Sequence, residues 1–165
     1  MPNILFVCTA NQFRSPLAAA CFTRKLTEMV LQDSWKVTSA GTWATAGLPA
    51  HPKAVEEAAK LGLDLSAHRT QEVDAALLAA ADLIVVMEHG HKEALEIEFP
   101  EISSKVFLLG SLANNLYGEI PDPAAENFNQ PEEVMRMVCD CIDKGFAELI
   151  KLASIKREAQ YASRP

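Results

Sequence analysis

The sequence lacks an excess of basic residues: fifteen Lys and Arg stand against 22 Asp and Glu, for a net charge of -7. A chain that holds DNA or RNA through its phosphates carries the opposite balance, so nucleic acid is not an expected partner. Long apolar runs are also missing. The most apolar stretch, from Ala75 to Met87, contains Asp82 and is too short to span a bilayer. The early run from Ile4 to Val7 is far too brief for a signal peptide or an anchor. No membrane partner is expected, and a reducing cytoplasm is the expected compartment. Cysteines number four, which does not suggest a disulfide scaffold in a chain of this size. Internal repeats, low-complexity segments and linkers are absent as well. What is present is apolar side chain, 49% of 165 residues, enough for the core of one ordinary domain.

Short β-like runs alternate with longer helical ones. Asn3 to Val7 reads as a strand buried on both faces, because its apolar run is continuous rather than alternating. Ser15-Pro16 is a helix-start signal, with the serine hydroxyl as cap, and predicts a helix from about Pro16 to Leu31. Further strands are expected at Trp35–Ala40, Leu83–Met87 and Lys105–Leu109. Further helices are expected at Lys53–Leu61, Asp74–Ala81, His91–Phe99 and from Pro131 onward. Gly110 to Gln130 reads as loop, punctuated by Asn114-Asn115, Gly118 and Pro121-Asp122-Pro123. The domain is expected over residues 1–154, with 155–165 a polar tail that frays. This alternation implies a single α/β domain of three layers, a four-stranded parallel sheet with helices on both faces.

In such sheets ligands bind outside the carboxyl ends of the strands. After the first strand that place is occupied by Cys8-Thr9-Ala10-Asn11-Gln12-Phe13-Arg14-Ser15-Pro16. A nucleophile, a short loop, an arginine and a helix start follow one another. Inward-turned N–H groups at a helix start make an anion cradle, and an arginine can close it with a bidentate grip. The same positive surroundings favour a thiolate, the nucleophilic form of cysteine. A thiolate beneath a tetrahedral anion is placed for in-line attack on phosphorus, giving a phosphocysteine. Cys8 could instead simply end a buried strand, but the strand, C-x5-R-S-P and helix in succession favour the catalytic reading.

These residues resemble the low-molecular-weight protein tyrosine phosphatase family, whose loop usually reads C-x-G-N-x-C-R-S-P. Ser39-Ala40-Gly41-Thr42, His68 within Leu65–Arg69, and Asp122-Pro123 extend the likeness over nearly the whole chain. The resemblance implies a flavodoxin-like sheet of order 2-1-3-4 and phosphomonoester hydrolysis without metal or other cofactor. It implies Cys8 as nucleophile, Arg14 as phosphate clamp and Asp122 as general acid and then base. On the residues alone, Asp122-Pro123 would be an ordinary turn. The phosphate-binding loop is Thr9, Ala10, Asn11, Gln12, Phe13, Arg14 and Ser15. Ser15 would also hydrogen-bond the thiolate, and Asn11, Ser39 and His68 would hold the loop, with Asn11 left-handed. The implied partner is a phosphorylated protein, phosphotyrosine foremost, and the expected assembly a monomer or weak dimer.

Several positions depart from the pattern. Ala124 and Ala125 replace the tyrosines that wall the family's aromatic pocket, leaving Gln12, Trp43 and Ala124 as the substrate rim, with Phe13 a second substitute for the wall. Gln12 matches neither the isoleucine of tyrosine phosphatases nor the threonine of relatives acting on phosphoarginine. Phe13 replaces a second loop cysteine, removing a protective disulfide partner for Cys8. Ala10 replaces the loop glycine. Cys21, Cys139 and Cys141 read as structural residues in helices. His89 and His91 lack a ligand cluster, so no metal site is expected. The alternatives are a protein phosphoarginine phosphatase, a thiol-dependent arsenate reductase, for which Met87–Leu95 offers no resolving cysteine, or a phosphate-binding module.

Overall fold

The computed structural model describes residues 1–124 and 130–162. Four strands, β1 (Asn3–Cys8), β2 (Lys36–Gly41), β3 (Leu83–Val86) and β4 (Val106–Leu108), form one sheet of order β2-β1-β3-β4. All three pairings are parallel, with Cys8 opposite Gly41 and Val7 opposite Val86. The fold class and strand order are those expected. Helices α1 (Arg14–Glu28), α2 (Pro52–Lys60), α3 (Ala75–Ala80), α4 (His89–Glu98), α5 (Leu109–Leu112) and α6 (Pro131–Ala162) connect and cover the strands.

The continuous apolar run of β1 supplies both cores, because successive side chains on a strand point to opposite faces. Ile4, Phe6 and Cys8 join Leu17, Phe22 and Leu26 of α1 and Val138, Ile142 and Leu149 of α6. Leu5 and Val7 join Leu78 of α3, Leu95 of α4, and Ile102 and Val106. Phe22 centres an aromatic cluster, its ring 5.7 Å from those of Phe6 and Trp35 and 5.1 Å from that of Phe146. Truncating so central a ring costs about 3–5 kcal/mol.

Three local expectations change. First, α1 begins at Arg14, not Pro16, and no side chain caps its start. The Ser15 hydroxyl is used elsewhere, against Cys8 and Asn11. Second, the stretch after Gly110 is not all loop. The short helix α5 forms where Gly110 packs so tightly on Gly118 that a Cβ at 110 would overlap its carbonyl. Third, the polar stretch after Ser154 does not fray there but continues α6 to Ala162. Ala153 remains buried, and the Lys156 ammonium lies 6.0 Å from the Phe107 ring centroid, so the helix keeps a tertiary surface to lie on. α6 also brings Cys139 to Cys21 of α1 as a disulfide pair, Cα atoms 5.9 Å apart, a pairing that reading both as structural helix residues did not identify. Nothing local relates residues 118 positions apart.

Candidate active site

The end of β1 runs into the start of α1 through a loop that its own side chains and its neighbours hold curled. Asn11 takes a left-handed backbone, φ 56°, a conformation asparagine tolerates better than most residues. Its fully buried amide donates to Ser15 Oγ at 2.8 Å and to Ser39 Oγ at 2.9 Å. Its Oδ1 accepts from the Gln71 N–H at 2.9 Å, and its carbonyl accepts from His68 Nε2 at 2.7 Å. Burial holds the His68 pKa below the ordinary range, in keeping with a neutral ring that donates one hydrogen to that carbonyl. Asn11, Ser15, Ser39 and His68, all expected to support the loop, therefore meet at it. Gln71 is an addition that the sequence did not flag.

The backbone after β2 clamps the loop from the other side. Thr42 and Trp43 donate their N–H groups to the carbonyls of Cys8 and Thr9, at 2.9 and 3.0 Å. Gly41 lets the two segments approach: a Cβ there would fall 2.3 Å from the Thr9 carbonyl oxygen. His51 N–H reaches Gln12 O at 2.8 Å. The first-turn N–H groups of α1 have no intrahelical acceptor, and no side chain caps them.

Cys8 Sγ lies 3.0 Å from Ser15 Oγ. Arg14, 2% exposed, faces four oxygens, three of them from distant parts of the chain. Its Nη1 donates to Glu88 Oε2 at 2.8 Å and to the Ile120 carbonyl at 2.9 Å. Its Nη2 faces Thr9 Oγ1 and Asp122 Oδ2, each at 3.4 Å. A buried guanidinium needs such partners, since desolvation of an unpaired charge costs several kcal/mol. Asp122 is the more exposed partner, and its Oδ1 accepts the Ala124 N–H at 3.0 Å. The segment carrying it is tied down nearby: Ile120 N–H donates to Met87 O at 2.9 Å, and Glu119 accepts from the His89 N–H. Cys8, Arg14 and Asp122, 114 positions apart at the extremes of the sequence, thus share one site. Glu88, Ile120 and His91 complete it, and sequence reasoning assigned none of them a role there. The one available signal was Glu88-x-x-His91, a capping-box spacing at the start of α4.

The rim has changed relative to the expectations. Trp43 is 83% exposed, so its ring is not part of the core. Phe13 is packed into the core beside α1 and cannot replace the missing wall. Gln12 donates to the Pro49 carbonyl at 3.3 Å, and Ala124 is exposed near Asp122. Ala125 lies outside the described residues. Among the described residues no group of three His, Cys, Asp or Glu is placed to hold a metal ion. No helix there is long and apolar enough to cross a membrane.

A parallel sheet whose first strand ends in a cysteine, followed by a curled loop and a helix start with a buried arginine, defines an α/β protein whose polar groups gather at the carboxyl end of its strands. The model of the family described as low molecular weight phosphotyrosine protein phosphatase matches residues 3–161. The chain belongs to that family, whose members are hydrolases of phosphoric monoesters. It is 36% identical over 141 residues to a probable low molecular weight protein-tyrosine-phosphatase, EpsP, of Ralstonia nicotianae, covering 86% of this chain and 91% of that one. It is 35% identical over 138 residues to a protein-arginine-phosphatase of Geobacillus stearothermophilus, covering 84% and 86%. The structure of a low molecular weight protein tyrosine phosphatase from T. tengcongensis superposes with a TM-score of 0.80 at 32% identity, over 90% of this chain and 99% of that one.

Proposed function

We propose that this chain is a cytoplasmic protein phosphatase that hydrolyses phosphotyrosine through a phosphocysteine. The observation that carries the reading is the convergence of Cys8, Arg14 and Asp122 on one helix start, Cys8 against Ser15 and Asp122 3.4 Å from the clamp. Binding alone would not require an acid beside the guanidinium. Arg14 and the loop N–H groups take the oxygens of the phosphoryl group. The Cys8 thiolate attacks phosphorus, an S–P bond forms as the P–O bond breaks, and protonated Asp122 gives its proton to the departing oxygen. Asp122, now a carboxylate, takes a proton from water as the water oxygen attacks phosphorus and the S–P bond breaks. Phosphate leaves, and Cys8 and Asp122 return to their starting states. Asp122 gives one proton to the leaving oxygen and regains one from the attacking water, so the cycle closes.

Gln12, Trp43 and Ala124 form the substrate rim in this reading, and exposed Trp43 offers the ring against which a phosphotyrosine would pack. The chain acts as a monomer or weak dimer on phosphoprotein, not on nucleic acid or at a membrane. A second reading, phosphoarginine hydrolysis, is favoured by the arginine phosphatase relatives. The deciding experiment is turnover of phosphotyrosine, phosphoserine and phosphoarginine peptides beside thiol-dependent arsenate reduction. Preferred release of phosphate from phosphotyrosine supports the first reading, and preference for phosphoarginine moves the assignment to the second. Arsenate turnover without ester hydrolysis overturns both. Cys8→Ser should abolish turnover while phosphate or vanadate still binds, because the cradle and Arg14 remain.

A further inference from the structure

Thr9, the residue after the nucleophile, makes side-chain contacts that the reaction above does not use. Its Oγ1 is 2.9 Å from Nε2 of His91, which is 6% exposed, and 3.4 Å from Nη2 of Arg14. The other ring nitrogen of His91, Nδ1, lies 3.1 Å from the backbone N of Glu88. A backbone amide only donates, so Nδ1 is an acceptor and the hydrogen of the neutral ring sits on Nε2. Burial, followed by the nearby Arg14 charge, pushes the His91 pKa down to about 4, which keeps the ring neutral near pH 6 and above. His91 therefore donates to Thr9 Oγ1. The guanidinium, which has no acceptor, can only donate as well.

Both polar neighbours of the Thr9 oxygen are therefore donors. Its own hydrogen must go to a third group, and the gripping face of Arg14 is where an oxyanion arrives. We infer that His91 is a positioning residue: it fixes Thr9 so that the Thr9 hydroxyl donates to the oxyanion that Arg14 holds. The inference rests on the phosphatase reading, since it assigns a ligand contact within that same site. It adds a side-chain donor to a cradle otherwise made of backbone N–H groups and one arginine. It also explains why a buried histidine is spent at the third position of α4, where glutamate or glutamine would complete a capping box equally well.

The test is competitive inhibition by inorganic phosphate, with an aryl phosphate as reporter substrate and melting temperature as a fold check. Thr9→Val keeps the shape and removes the hydroxyl, and it should weaken phosphate binding by about ten- to a hundredfold, the value of a hydrogen bond to a charged group. Thr9→Ser should stay near wild type. His91→Asn places an amide oxygen near the Nδ1 position, preserving the Glu88 contact while losing reach to Thr9. It should weaken phosphate binding in the wild-type background and add nothing in the Thr9→Val background. Phosphate inhibition of Thr9→Val equal to wild type overturns the inference, as does a His91→Asn effect that persists undiminished in the double variant. A wild-type chain that neither binds phosphate nor hydrolyses the reporter overturns the phosphatase reading itself.

Discussion

Replacing Ser15 by alanine should slow attack by Cys8 about ten- to a hundredfold, and the reason is the position of a single hydrogen. Ser15 Oγ lies 3.0 Å from Cys8 Sγ, 2.8 Å from Asn11 Nδ2 and 3.2 Å from the Ala40 carbonyl. The asparagine amide can only donate, so it occupies an acceptor position on the hydroxyl. The hydroxyl's one hydrogen then has two destinations, Ala40 O or Cys8 Sγ. While the cysteine is a thiol, its S–H can point to Oγ and the hydroxyl to Ala40. Once the thiolate forms, the hydroxyl turns to sulfur and makes a bond to a charge. Bonds of that kind contribute about 1.5–3 kcal/mol, which at roughly 1.36 kcal/mol per decade gives the stated range. The amide of Asn11 keeps Ser39 as a partner, so the loop retains part of its scaffold. Alkylation of Cys8 by iodoacetate at fixed pH, read by peptide mass, measures the effect directly. Interference from other thiols is small, because Cys141 is buried with its pKa pushed up to about 11 and Cys21 is paired with Cys139. Ser15→Thr should restore reactivity. An alanine variant that alkylates and turns over at the wild-type rate would refute the reasoning.

Asp122→Asn should slow alkyl phosphates far more than aryl phosphates with good leaving groups, because only the former need a proton on departure; equal losses in kcat would assign Asp122 another role. Val30→Gly should raise Tm by about 1–4 °C without changing kcat, as seen by calorimetry and steady-state kinetics. Val30, 82% exposed, sits left-handed at φ 58° where α1 ends, with the Leu31 N–H on Leu26 O. Relief of roughly 1–2 kcal/mol of backbone strain outweighs the extra chain entropy of glycine, about 0.5–1 kcal/mol. Acidification from about pH 6.5 to 4 should destabilise the fold, because burial holds His91 at about 4 when folded, against the ordinary histidine value of 6.5. Between those values the unfolded chain binds the extra proton, so stability falls with pH, by an upper bound of about 3 kcal/mol from this group. Urea unfolding of wild type and His91→Asn across that window should show a shallower slope in the variant.

The resemblance to the phosphatase family already pointed to Asp122, but the residues alone left Asp122-Pro123 as a turn. The difference between what was legible and what was not follows distance along the chain. Cys8, the loop and Arg14 lie within one strand–turn–helix unit, so their relation is governed by local preferences: a buried β run, an asparagine that accepts positive φ, and a helix start. The alternation of such units was also enough to specify a parallel three-layer sheet. Serine's local preference misled at Ser15, whose hydroxyl could serve either a helix N–H or a sulfur, and the packed loop decided for the sulfur. Likewise, nothing in the polar composition after Ser154 revealed that Phe107 would lie beneath Lys156 and that the helix would run on. The remaining decisions belong to the tertiary structure. Placing β3 beside β1 brings Glu88 and His91 at its carboxyl end to the guanidinium and to Thr9. Docking Ile120 on Met87 then sets Asp122 at the same arginine. These contacts join groups whose order in the sequence carries no trace of their separation in space, because they depend on strand register and on which helix faces can bury their apolar surface together.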